Sequence, residues 1–275
     1  GAEFVKSSGL IGNFKQDIIG ITDSTLKAGV MFEDASKALG ALAGGFSAFN
    51  RENKELNQYM AGTIALMEKL GGGSDDAVKS MEMFHRVLGK GAKASADLAA
   101  GIMVAGSKAD ISTKTMAKNF VKAMGKLSAH GDKGVKVFKN LAAAAKAAGM
   151  EVDTLLNVAG KFDTFADGAE AAAKLNAVLG TQISTMQMLN MEEDDRIRLI
   201  NRELKAMNFA HMDKYTQMYA AEALGLQSVA EARKLAMMDG SEIDQYINKM
   251  DQEKASQEEL RKAAEEFVPI MQKLK

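Results

Sequence analysis

One proline, Pro269, stands in 275 residues. Proline is the residue that most reliably breaks a helix interior, so almost nothing before it forbids helix. Apolar residues recur in steps of three and four, and the alternation with period two that marks half-buried strands is nearly absent. The 25 glycines are the natural punctuation, because each one inside a helix costs roughly 1 kcal/mol relative to alanine. The expectation is an all-α fold: an array of short Gly-punctuated helices with a longer, partly coiled-coil C-terminal helix. With 47% hydrophobic and 26% charged residues, the balance is that of a chain able to bury a core.

Local signals divide the chain. Asp23 reads as the cap of a helix carrying Leu26, Val30, Met31, Ala35 and Leu39, interrupted at Gly44-Gly45. The pattern resumes from Phe46 to Leu70. Gly71-Gly72-Gly73-Ser74 reads as a flexible joint, with Ser74 as the next N-cap. Three helices are predicted between Ala92 and Met150, the second capped by Ser112 and the third by Asp132. Short helices follow near Val152–Phe165, Ala169–Leu179, Glu192–Met207, Met212–Leu224 and Ser228–Met238, with joints at Gly160, Gly168, Gly180, Gly225 and Gly240. This predicts an N-terminal helical segment (1–70), a multi-helix domain (74–240) and a C-terminal coiled-coil-like helix (241–275).

In that last segment Ile243, Tyr246, Met250, Leu260, Phe267 and Met271 follow steps of three and four, with Glu253 and Gln257 in the same register. The spacing is that of a coiled-coil seam, and these six side chains are the candidate oligomerisation surface. Packing of one amphipathic helix on its own domain accounts for the pattern equally well. Pro269 is expected to end the helix near Val268. The spacing runs to the last residues, which predicts that the native polypeptide continues past Lys275.

Composition excludes much chemistry. With no cysteine there are no disulfides, thiolate metal sites or cysteine nucleophiles. The three histidines, His85, His130 and His211, have no carboxylate or serine at a spacing that marks a triad or metal site, and read as ordinary surface or boundary residues. Gly89-Lys90-Gly91-Ala92-Lys93-Ala94 fits the dinucleotide-binding pattern in letters only, since that motif needs a preceding strand. Asp163, Asp167 and Gly168 match a calcium loop at three positions, but Phe165 and Lys174 occupy positions that need oxygen ligands. Glu192-Glu193-Asp194-Asp195 reads as the acidic start of a helix, favoured by the helix dipole. The methionines from Met186 to Met218 read as core filling. No enzyme and no cofactor is expected.

Charge is unevenly spread. Residues 1–150 carry 20 Lys and Arg against 14 Asp and Glu, and residues 86–146 carry 12 against three. Within this block Lys114, Lys118, Lys122 and Lys126 fall four apart. At 100° per residue they span a sector of roughly 120°, opposite Met116, Phe120, Met124 and Leu127. A solvated helix face explains the row. The functional alternative is docking on an acidic protein surface, DNA backbone or anionic lipid, which would be salt-sensitive and blind to sequence. The start, Gly1-Ala2-Glu3-Phe4-Val5, lacks the layout of a secretion signal and reads as a cloning scar or a start in mid-protein. The longest uncharged apolar run, Ala38–Asn50, has 13 residues, short of the roughly 20 a bilayer span needs.

From about Gly149 to Met238 the rhythm changes to Gly160-Lys161-Phe162-Asp163-Thr164-Phe165-Ala166-Asp167-Gly168-Ala169, then Ala172-Ala173-Lys174-Leu175-Asn176-Ala177-Val178-Leu179-Gly180-Thr181. Arg196-Ile197-Arg198-Leu199-Ile200, Met212-Asp213-Lys214-Tyr215 and Ala220-Ala221-Glu222-Ala223-Leu224-Gly225-Leu226 complete it. This third of the chain resembles the Ala- and Gly-rich helical region of tail tape-measure proteins of tailed bacteriophages. The resemblance implies a virion structural protein lying inside the tail tube. Such a protein helps to set tail length, is released at DNA ejection, associates as a trimer and contacts tail tube and baseplate hub proteins. It brings no catalytic residues. Family members are longer and favour continuous helices, so this chain would be a terminal or globular segment. The alternative is a membrane-active helical effector, pore-forming or secreted, inserting Leu98–Ser107 and the Gly-rich N-terminal helices into a bilayer.

Overall fold

The computed structural model describes residues 14–251 and 256–273, with side chains as far as Glu266. It is all-helical, with no strand among the described residues. Two compact units form, one from residues up to Ser128 together with those from Lys249 onward, the other Ala129–Asn248. The expected division at 70–74 and 240 is therefore corrected.

The first unit contains α1 (Lys15–Thr25), α2 (Phe32–Gly45), α3 (Lys54–Lys69), α4 (Ser74–Glu82), α5 (Ala92–Lys108), α6 (Thr113–Leu127) and, from the far end of the chain, α15 (Gln257–Lys273). Asp23 lies inside α1 and caps nothing. Helix α3 is capped by Asn53, whose Oδ1 accepts from the Leu56 N–H at 3.2 Å. Two helices form the core. Residues Met60–Met67 of α3 and Ala99–Gly106 of α5 are buried all round, as expected of helices whose small and apolar residues occupy every face. The apolar stretch Leu98–Ser107 is accounted for by this burial, and among the described residues no helix is long and apolar enough to cross a membrane.

The expected flexible joint is a tight turn. Gly71 takes a left-handed conformation (φ 88°), and the Gly72 N–H donates to the Met67 carbonyl at 2.9 Å. A Cβ on Gly72 would stand 2.9 Å from that same carbonyl oxygen. Ser74 is the first residue of α4 rather than its cap, and its hydroxyl donates to Glu68 Oε2 at 2.9 Å. Beyond α4 a π-helical turn, Met83–Val87, leads to Gly89 and into α5. His85 Nδ1 lies 2.7 Å from the Lys90 carbonyl oxygen, so the glycine pair serves as a joint between helices.

The second unit contains α7 (Asp132–Ala148), α8 (Val152–Gly160), α9 (Phe165–Leu179), α10 (Thr185–Leu189), α11 (Glu193–Ala206), α12 (Lys214–Ala223), α13 (Val229–Met237) and most of α14 (Gly240–Asp251). Short helices leave many terminal N–H and C=O groups, and polar side chains answer them. Asn201 Nδ2 donates to the carbonyls of Leu235 and Met238 at the end of α13, at 2.6 and 3.1 Å. Gln217 Nε2 donates to those of Phe209 and Met212. The guanidinium of Arg196, a residue 6% exposed, reaches the Met188 and Ala159 carbonyls and Asp163 Oδ1 at 2.8, 3.0 and 2.6 Å. Asp163 is thus an ion-pair partner rather than part of a loop ligand set. Glycine is only partly punctuation: Gly149, Gly180 and Gly225 end helices with positive φ, whereas Gly62, Gly106 and Gly168 lie inside helices.

Candidate functional site

Helix α6 carries the lysine row. Ser112 caps it, accepting from the Thr115 N–H at 3.2 Å. Met116, Ala117, Phe120, Ala123, Met124 and Leu127 are buried, and the Phe120 ring stacks on Phe84 with centroids 4.9 Å apart. Anchoring this face fixes the other. Lys114, Lys118, Lys122 and Lys126 are all exposed, spaced about 6 Å apart along the axis.

The helix holds no acidic residue. Among the described residues Lys114, Lys118 and Lys122 form no ion pair. Like charges four apart cost a few tenths of a kcal/mol per pair, and Lys114 in the first turn opposes the helix dipole. Lys126 in the last turn offsets that effect, so the like-charge repulsion is the row's cost to its own helix, while it projects a one-signed field into solvent. On α7, Lys136 and Lys146 are likewise exposed.

The six seam residues are not brought onto one free surface. Ile243, Met250 and Leu260 are buried within the chain, and Tyr246 is half-buried, its hydroxyl donating to Glu242 Oε1 at 3.0 Å. The periodicity falls on two helices, α14 and α15, rather than one. Glu253 lies outside the described residues, as do the side chains of Phe267 and Met271. Gln257, a polar interruption in the seam pattern, is an anchor: its Nε2 donates to the Tyr59 carbonyl at 2.7 Å and to Thr63 Oγ1 at 2.9 Å. Pro269 does not end the helix, which runs to Lys273.

Two features escaped the sequence reading. His130, just before Gly131 and α7, lies between Glu192 and Glu193 at the start of α11, with ring nitrogens 2.9 and 3.1 Å from their carboxylates. No local spacing could reveal partners more than 60 residues away. On α12, Tyr215, Met218 and Tyr219 are exposed beside an open groove of about 670 Å³ that Leu226 and Val229 also line. Met188 fills the core, but Met186 and Met218 are exposed, so the methionines serve both places. No family of known proteins, no curated protein and no solved structure matches this chain.

Proposed function

We propose that this chain is a structural protein that works by assembly contacts, with the lysine face of α6 as its docking surface for a polyanion. The observation that carries the reading is the exposed row Lys114, Lys118, Lys122 and Lys126 on a helix without acids. Its opposite face is committed to the core, so the lysines project from a rigid support. Lysine is a compact, strongly hydrated charge without the planar fork of arginine, which suits a surface read by charge rather than by base sequence.

On the resemblance of Gly149–Met238, the finer proposal is a segment of a phage tail tape-measure protein. Its acidic partner would be the tube lumen or the packaged DNA, and its location the tail interior. Tail tube and baseplate hub proteins are the proposed partners. The burial of Ile243, Met250 and Leu260 supports packing of the C-terminal helices on their own chain, and self-association is left to surfaces other than these.

Labelling of intact and opened phage particles with an antibody against this chain tests the location. Label confined to opened tails is the expected result, and no label on any virion removes the tape-measure proposal while leaving the lysine face to its own binding test.

A further inference from the structure

His130, Glu192 and Glu193 form a donor set with no role in the lysine face. The three come from two places in one unit, the 3₁₀ turn Ser128–His130 and the first residues of α11. His130 Nδ1 lies 2.9 Å from Glu192 Oε2, and Nε2 lies 3.1 Å from both oxygens of Glu193. One ligand atom from each residue falls within 4.8 Å of the others. Ligands held tetrahedrally at the usual 2.0–2.2 Å lie about 3.3–3.6 Å apart, so side-chain movements of no more than about 1.5 Å would close the set.

The independent observation concerns two oxygens. Glu192 Oε2 and Glu193 Oε2 are shut off from solvent, and the group that each faces at hydrogen-bond distance is a ring nitrogen of His130. A neutral imidazole carries one N–H and can serve only one of the two, and a buried carboxylate oxygen left without a proton donor is costly. The local charge also needs a cation. Four consecutive acids, Glu192 to Asp195, exceed the roughly half-charge that a helix N-terminus offers. A singly charged imidazolium would balance only one of the two carboxylates it touches. A divalent ion with neutral imidazole balances both.

We propose that His130, Glu192 and Glu193 bind a divalent transition-metal ion, of the zinc or manganese class. The imidazole nitrogen selects against calcium and magnesium, which prefer all-oxygen shells. One ring nitrogen binds the ion, and the other N–H donates to a carboxylate oxygen, fixing the tautomer as metal-bound histidines commonly do. Water completes the coordination. The ion ties the start of α11 to the turn before α7, a structural clasp.

The test uses the full chain, stripped with EDTA and titrated with zinc chloride while thermal unfolding is followed. Zinc at 100 times its Kd should raise the ratio of folded to unfolded chain about 100-fold. His130→Ala and the isosteric double variant E192Q/E193Q should each weaken zinc binding at least tenfold by calorimetry, whereas His85→Ala and His211→Ala should leave it unchanged. Circular dichroism of each variant shows whether it is folded, and the Gln pair serves where the Ala variant is not. The proposal is overturned if zinc leaves the midpoint unchanged, if the His130 and Glu variants bind as the parent does, or if magnesium stabilises as well as zinc.

Discussion

Met116 occupies the space that a side chain on Gly106 would need. A Cβ on Gly106 would stand 2.7 Å from Met116 Cγ and 3.0 Å from its Cβ, so α5 and α6 approach closely at this point and the lysine helix is seated on it. Gly106→Ala should therefore be destabilising although alanine is the better helix former. Overpacking of this kind costs about 1–3 kcal/mol, more than the roughly 1 kcal/mol that the propensity gain returns at best. Urea unfolding checks it; an alanine variant as stable as the parent would mean that the two helices slide apart freely.

Replacing Lys114, Lys118, Lys122 and Lys126 by glutamine should separate binding from stability. Each lysine that neutralises a phosphate contributes about 0.9 to the slope of log K against log salt on duplex DNA. Loss of all four should flatten that slope by about 3 to 4. Stability should hold or rise, since three like-charge pairs at a few tenths of a kcal/mol each are relieved. Filter binding across a salt series, with thermal melts of both proteins, makes the comparison. An unchanged slope would mean that the row is only a solvated face.

How much of this was legible in the sequence depended on range. The lysine row and its apolar opposite face lie within 15 residues, so helical geometry alone puts them on their sides. The cap at Ser112 was readable for the same reason, whereas Asp132, expected as the cap of α7, is its first residue after Gly131. The unit boundary was not, because glycine at 71–73 looks the same in a linker as in a tight turn, and only the packing of α4 decides. Gln257 looked like a polar flaw in a seam, and its hydrogen-bond partners Tyr59 and Thr63 are nearly 200 residues away. His130 failed for the same reason, its carboxylates lying 62 and 63 residues on.

Tyr59 should give the first unit an alkaline limit. Burial, and then donation of its hydroxyl to Asp97, push the phenol well above its ordinary 10.0. The folded chain keeps this proton where the unfolded chain has lost it. Stability from this group is thus full below pH 10.0 and falls as pH rises from there towards the folded value. Chemical denaturation at a series of alkaline pH values should show the parent losing stability relative to Tyr59→Phe, which has no phenol to ionise. Parallel profiles for the two proteins would refute the assignment.

Arg196 should be the most sensitive single charge in the second unit. Its side chain is 8% exposed and holds the Met188 and Ala159 carbonyls together with Asp163, so the ends of α8 and α10 meet on one guanidinium. Arg196→Ala leaves the two carbonyls only their backbone partners, the Met191 and Phe162 N–H groups, and opens a cavity, while Asp163, 56% exposed, falls back to water at little cost. Breaking a buried pair typically costs about 3–5 kcal/mol, and the exposed partner places this case at the lower end. Arg196→Lys keeps the charge but offers an ammonium in place of the fork that spans Met188 and Asp163, so it should recover only part of the loss. Asp163→Asn should be milder than either. Equal stability of the Lys and parent proteins would show that charge alone, and not the geometry of the guanidinium, holds these helix ends.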